Sequence, residues 1–190
     1  MTKVAIVYHS GYGHTEVQAN HVQKGADSVD GVSADLIKAD DAAGDIDSLK
    51  AYDAIIFGAP TYMGSASAGF KAFMDASSKA WMAGDWKDKI AAGFTNSGSL
   101  SGDKFNTLVQ FVTLAAQHGM IWVSLGAENE TAGNDVEPGD PTKMNRVGAY
   151  LGAMAQSDNK PPSETPESGD LKTAEHLGKR VSEAAKRWAS

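Results

Sequence analysis

A chain of 190 residues, 42% hydrophobic and 22% charged, is long enough for one α/β domain with a sizeable core and has the balance of a soluble globular protein. Its 24 acidic residues outnumber the 17 basic ones, giving a net charge of -7 with no basic cluster, so direct nucleic-acid binding, which needs concentrated Lys and Arg, is not expected. The absence of cysteine excludes disulfides, thiolate catalysis and Cys-ligated metal or iron–sulfur centres.

In chain order, Val4 to Tyr8 is a continuous apolar, β-branched run, the pattern of a parallel strand buried on both faces. It breaks at Ser10 and Gly11 and leads into a segment with helical spacing at Val17, Ala19, Val22 and Ala26. A short Ser/Gly/Thr loop between strand and helix leaves backbone N–H groups unpaired at the positive end of a helix dipole, an arrangement suited to a phosphate. The loop Ser10 to Thr15 lacks the third glycine of the dinucleotide fingerprint, because Glu16 stands there, and it lacks the Gly-Lys-Ser/Thr of Walker A. It holds hydroxyls instead, with no Lys or Arg between Lys3 and Lys24. A terminal monophosphate held by N–H and O–H donors fits that chemistry, which favours FMN over FAD.

Val32 to Ile37 reads as a second strand of mixed polarity, suited to a sheet edge, and Ala54 to Phe57 as a third, strongly buried one ending at Gly58-Ala59-Pro60. After a loop through Gly64, residues 68–80 show helical spacing at Phe70, Phe73, Met74 and Ser77. Ile90 to Phe94 reads as a fourth strand running into a second Gly- and hydroxyl-rich loop, Thr95 to Asp103. Asp103 is placed to cap a helix with Phe105, Leu108, Val109, Val112 and Ala116 on its apolar face. Gly119 ends that helix, and Met120 to Leu125 reads as a fifth strand. Residues 126–169 are rich in Gly, Pro, Asn, Asp and Ser, which is long for a structureless connection and marks a functional or partner-ordered segment. Asp170 is placed to cap a final amphipathic helix through Trp188.

Strands alternating with helices imply an α/β fold: a doubly wound five-stranded parallel sheet in the order 2-1-3-4-5, helices on both faces, in a single domain over 1–190. In that order the loops Ser10 to Thr15, Pro60 to Gly64 and Thr95 to Gly102 meet at one crevice. Neither His9 nor His14 has ligand-spaced partners, and Asp40, Asp41, Asp45 and Asp47 read as a solvated loop, so no metal site is expected. The N-terminal apolar run is too short for a signal peptide and no run approaches membrane-spanning length, which points to the cytoplasm.

Several segments together resemble the WrbA-type (Trp-repressor-binding-protein-like) NAD(P)H:quinone oxidoreductases of the flavodoxin-like superfamily: residues 8–16 (YHSGYGHTE), 52–61 (YDAIIFGAPT), 73–75 (FMD), 80–84 (AWMAG) and 114–120 (LAAQHGM). They span most of the chain in the family's order. The resemblance implies FMN as cofactor, with Ser10, Gly11, Tyr12, Gly13, His14 and Thr15 at its phosphate. Pro60, Thr61, Tyr62, Met63 and Gly64 would lie at the isoalloxazine edge, and Asn96, Ser97, Gly98 and Ser99 at the flavin and ribityl chain. It further implies Tyr12 toward the nicotinamide nucleotide and His118 and Trp81 as catalytic-site residues, His118 reaching the site of a neighbouring subunit. From the residues alone, His118 beside Gly119 equally reads as a helix C-terminal cap, and Trp81 equally as packing.

Departures are visible at Tyr62-Met63, where the family has Arg-Phe, and at Leu100-Ser101, where glycines are usual; the connection between Val32 and Tyr52 is also short. Loss of the Arg removes a fixed cation, so nicotinamide preference does not carry over. The implied reaction is two-electron transfer from NAD(P)H through FMN to a small-molecule quinone; a flavodoxin-type electron carrier is the alternative. A doubly wound domain leaves one flavin face open, and 126–169 carries the apolar Met144, Tyr150, Leu151 and Met154, so a homo-oligomer, dimer or tetramer, is expected.

Overall fold

The computed structural model describes residues 1–133 and 135–189. In order, the elements are β1 (Thr2–Tyr8), α1 (His14–Asp27), β2 (Val32–Lys38), α2 (Ala39–Gly44), a 3-10 turn (Ile46–Ala51), β3 (Ala54–Tyr62) and β4 (Ser65–Ala66). They continue as α3 (Ala68–Ala76), α4 (Ser78–Ala83), β5 (Ile90–Ser97), α5 (Lys104–Gln117), β6 (Ile121–Trp122), β7 (Ala153–Gln156) and α6 (Ser168–Trp188). The sheet runs β2-β1-β3-β5 in parallel, with β6 and β7 sharing the fifth position beside β5 and β4 folded back antiparallel on β3. This is the flavodoxin-like order 2-1-3-4-5, with helices on both faces.

Period-two alternation sends β1 side chains to two separate cores. Ala5 and Val7 join Phe57, Phe70, Phe73 and Phe111 on the α3/α5 face, while Val4, Ile6 and Tyr8 join Val22, Leu177 and Val181 on the α1/α6 face. On β2 only Ala34 is buried, as befits an edge strand. Helices α1 and α6 touch backbone to backbone: a Cβ on Gly25 would lie 1.9 Å from the Glu175 carbonyl, and one on Gly178 1.9 Å from that of Val22. His21 and Lys24 then share Glu175 across the same contact, at 2.7 and 2.8 Å. Among the described residues no helix is long and apolar enough to cross a membrane.

The structure corrects the expected fifth strand. Met120 to Leu125 does not run as one strand; after Trp122 the chain leaves the sheet and returns as β7 to pair with Phe94 to Ser97. The return passes over β5 at Gly152, where a Cβ would lie 2.2 Å from the Gly93 carbonyl, so only glycine fits. Trp122 Nε1 donates to the Leu151 carbonyl at 2.9 Å, tying exit and return together. The single helix expected over 68–80 is two, divided at Ser77, whose hydroxyl donates to the Met74 carbonyl. Asp103 does precede α5, but in a left-handed conformation (φ 54) and with no side-chain cap bond.

Nor is Asp170 a cap. It lies inside α6, fully buried, and accepts from Arg146 Nε at 2.9 Å and Nη2 at 2.8 Å, so the excursion between β6 and β7 is clamped to the fold by a buried bidentate pair. That excursion also buries Met154 within the chain, while Tyr150 stays exposed. Removing one partner of such a pair leaves an uncompensated charge in the interior. Asp170→Ala is therefore expected to lower stability by about 3–5 kcal/mol, read from the urea unfolding midpoint. A loss under about 1 kcal/mol would show the pair to be exposed in solution.

Candidate functional site

The carboxyl ends of β1, β3 and β5 open on a cavity of about 460 Å³. Tyr12, His14 and Thr15 come to it from the first loop, Pro60, Thr61 and Tyr62 from the second, and Asn96, Ser97 and Gly98 from the third. A fourth wall comes from residues past β7: Ser157, Asp158, Asn159, Lys160 and Pro162.

Buried hydroxyls fix the three loops to one another. Thr61 Oγ1 lies 2.8 Å from both Thr95 Oγ1 and Thr107 Oγ1. Thr15 Oγ1 donates to Asn96 Oδ1 at 2.5 Å, and Asn96 Nδ2 donates onward to Ser157 Oγ at 2.8 Å. The strap of residues 157–162 is held a second time where His14 Nε2–H donates to the Lys160 carbonyl at 2.8 Å. Pro162 sits on Gly13, whose φ of +91 suits glycine and whose missing Cβ would lie 2.9 Å from the Pro162 ring.

In the first loop, Ser10 Oγ accepts from Gly13 N–H at 3.1 Å and Glu16 N–H at 3.3 Å, so Ser10 shapes the loop and borders a separate recess behind it. Gly11 lies against the Tyr62 hydroxyl, where a Cβ would fall 2.5 Å from the oxygen. Among the described residues, no group accepts from the N–H groups of Tyr12, His14 and Thr15, nor from those of Gly98 and Ser99. The carbonyls of the third loop, by contrast, are taken: Ser97 O by Ser157 N–H, Gly98 O by Gln156 Nε2 and Ser99 O by Lys104 Nζ. Tyr12 and Tyr62 stand at the mouth edge to face, 6.1 Å between ring centres, and Tyr12 is largely exposed. Met63 and Gly64 form the β3–β4 hairpin tip, both at positive φ, with the Met63 side chain in solvent.

Not every expected residue reaches this cavity. Gly11, Gly13, Gly64 and Ser99 belong to its loops without their side-chain positions lining it, and the Met63 side chain is in solvent. Two residues lie elsewhere altogether: His118 and Trp81 line a second recess of about 260 Å³ with Met74, Ser77 and Leu114. His118 follows the last turn of α5, whose first turn abuts the third loop; a 14-residue helix separates them by about 20 Å. The imidazole stacks on buried Trp86 (4.2 Å between ring centres) with Nε2 2.9 Å from Ser77 Oγ, and burial lowers its pKa, favouring the neutral ring. Trp81 beside it is more than half exposed. Within one chain the two share this recess, His118 buried in it and Trp81 exposed at it, apart from the cavity.

Sequence reasoning missed the strap, Lys104, and the Arg146–Asp170 pair behind the third loop. Lys104 opens a helix, where lysine ordinarily faces solvent, yet it is fully buried and donates to Ser97 Oγ at 2.9 Å. The only advance signal for the strap was the short Ala153 to Gln156 apolar run before Ser157. No group of three or more His, Asp or Glu among the described residues is placed to hold a metal.

Three comparisons bear on this arrangement. Residues 12–127 match the family model described as NADPH-dependent FMN reductase. The chain is 42% identical over 186 residues to "Flavodoxin FldP" of Pseudomonas aeruginosa, covering 95% of each chain. It is 33% identical to "Quinone-oxidoreductase QR2" of Triphysaria versicolor, covering 98% of this chain and 96% of that one. Among solved structures it is similar to the flavodoxin, WrbA-like protein from Agrobacterium tumefaciens, with TM-score 0.76, 42% identity and coverage of 98% and 99%.

Burial lowers the Lys104 pKa to about 8, with Asp170 raising it and Arg146 lowering it further. Because the folded value lies below that of the unfolded chain, the unfolded state binds more protons between them, and stability rises with pH through that interval. Wild type is expected to gain stability between pH 8 and 10 relative to Lys104→Met, measured as paired urea midpoints. A flat difference would contradict the buried amine.

Proposed function

Because the chain belongs to the NADPH-dependent FMN reductase family of flavodoxin-like proteins, we propose that it is an FMN-dependent NAD(P)H:quinone oxidoreductase. The observation that carries the reading is the set of unclaimed backbone donors in the first and third loops around one cavity. Tyr12, His14 and Thr15 offer N–H groups at the start of α1, where the helix dipole favours an anion, so they would hold the phosphate without a cation. Gly98 and Ser99 would offer theirs to the flavin ring. Bound FMN supplies the hydride chemistry; the protein supplies position, electrostatics and exclusion of water.

Each further role belongs to a residue of this chain. Thr61, pinned by Thr95 and Thr107, holds the second loop at a fixed distance from the third. Tyr12 and Tyr62 offer aromatic faces at the mouth, where nicotinamide and quinone would dock in turn, giving ping-pong kinetics. His118 and Trp81 point away from their own cavity, so a catalytic role for them requires a second copy. A neutral His118 can then hydrogen-bond a quinone oxygen. The exposed Leu100, Phe105, Val109 and Tyr150 give such a homo-oligomer apolar area to cover.

The likeness to a protein named flavodoxin favours a second reading, an electron carrier that receives electrons from a separate reductase. Steady-state assay separates the two: an oxidoreductase consumes NADH or NADPH with a quinone and no other protein, and a carrier does not. Gly13→Val, which meets Pro162 and an unfavourable φ, is expected to weaken FMN binding by about tenfold or more in a fluorescence titration of apo-protein. Unchanged affinity would misplace the phosphate. Light scattering is expected to give a dimer or larger; a fully active monomer would remove His118 and Trp81 from the mechanism.

A further inference from the structure

Behind the third loop lies a group of buried charges that the mechanism above does not use. Lys104, Arg146 and Asp170 are all buried, two basic side chains against one carboxyl group. Gln156 links them to the loop: its N–H donates to Asp170 Oδ2 at 2.9 Å, its Oε1 accepts from Arg146 Nη2 at 3.4 Å, and its Nε2 donates to the Gly98 carbonyl at 3.2 Å. Lys104 Nζ reaches the next carbonyl, Ser99, at 2.5 Å and the Ser97 hydroxyl at 2.9 Å. The carbonyls of Ser97, Gly98 and Ser99 are thereby claimed from within the protein, and the free N–H groups of Gly98 and Ser99 remain for a ligand.

We propose that Lys104 is a positioning residue of the flavin site, turning the third loop so that its N–H groups face the cavity and setting a buried positive charge behind them that favours reduced over oxidised FMN. The proposal rests on the reading of the cavity as an FMN site. Reduction by a hydride donor moves two electrons and one proton to the flavin and converts NAD(P)H to NAD(P)+, leaving one negative charge on the ring. A fixed cation in a low-dielectric layer stabilises that added charge, while neutral oxidised flavin gains little from it. The N–H groups act in the same direction, so the amine works both through the loop and through its own field.

The test is a redox titration of the FMN-loaded protein at pH 7 against an indicator dye, with dithionite as electron donor, beside fluorescence titration of apo-protein with oxidised FMN. Lys104→Met keeps the buried stem and removes the charge; Lys104→Gln restores a donor without charge. Both variants are expected to lower the affinity for reduced relative to oxidised FMN by about tenfold, a two-electron potential about 30 mV more negative. Lys104→Gln should recover more of the oxidised-FMN affinity than Lys104→Met. Folded, FMN-loaded variants with wild-type potential would overturn the proposal, as would full recovery of the potential by Lys104→Gln, which would leave the charge no part. If Lys104→Met does not fold, Lys104→Gln carries the same measurement. A wild-type apo-protein that binds no FMN would instead reject the site itself, an outcome distinct from a normal wild-type titration with unshifted variants.

Discussion

The Phe94 ring lies across Gly58, where a Cβ would fall 2.1 Å from the ring. That contact sits in a row of residues, Tyr8, Gly58, Phe94 and Ala153, aligned across the four strands nearest the cavity. Once the row is set, β1 ends on it while β3 and β5 run on past it to Tyr62 and Ser97, so the three loops leave from the same end of the sheet at stepped heights. Gly58 lets a large ring cover the middle of the sheet on the α1/α6 face, while Phe57 beside it points to the opposite core. The site is thus positioned by packing within the sheet, and the loops inherit their spacing from it. Parallel strands impose this geometry, because their hydrogen-bond ladders leave all the carboxyl ends on one side.

What the loops then present is decided by which backbone groups the fold has already used. Third-loop carbonyls are consumed by Ser157, Gln156 and Lys104. In the first loop Ser10 takes the N–H groups of Gly13 and Glu16, and those of Tyr12, His14 and Thr15 are among the ones left without an acceptor. An anion or an electron-rich ring edge would meet backbone donors that no other described residue has claimed, so little reorganisation is needed on binding, with the Asp158 carboxylate confined to the strap. On the proposed reading, phosphate recognition would need no Arg or Lys in the loop itself; nearby cations among the described residues lie behind the third loop, on the strap and, as Lys38, in the recess behind Ser10. The strap is tied by bonds to Asn96 and His14, which couples closure of the fourth wall to the order of the first loop.

Much of this was legible in the residues. Three buried strands, the strand order and the meeting of three Gly- and hydroxyl-rich loops follow from apolar runs and turn residues, which act locally. The fifth strand was not legible, because its two halves are separated by thirty residues of chain and its second half, Ala153 to Gln156, carries no β-branched residue. Asp170 was misread as a cap, and Lys104 passed over, for a related reason. Both stand near helix starts, where local rules expect a cap or a solvated charge, and both are claimed by partners that only the tertiary fold brings near. Residues 12–127 carry the family match, and the strap and Asp170 lie beyond it. His118 shows the opposite case: the motif is plain, yet within the single chain the imidazole is buried against Trp86 in a recess apart from the cavity.

The central claim is that unclaimed backbone donors of the first loop grip a flavin's terminal phosphate. Comparing the affinity of apo-protein for FMN and for riboflavin, which lacks only that phosphate, tests it directly. The account predicts that FMN binds at least about a hundredfold more tightly, as several charge-assisted hydrogen bonds require. Equal affinity for the two flavins would contradict it.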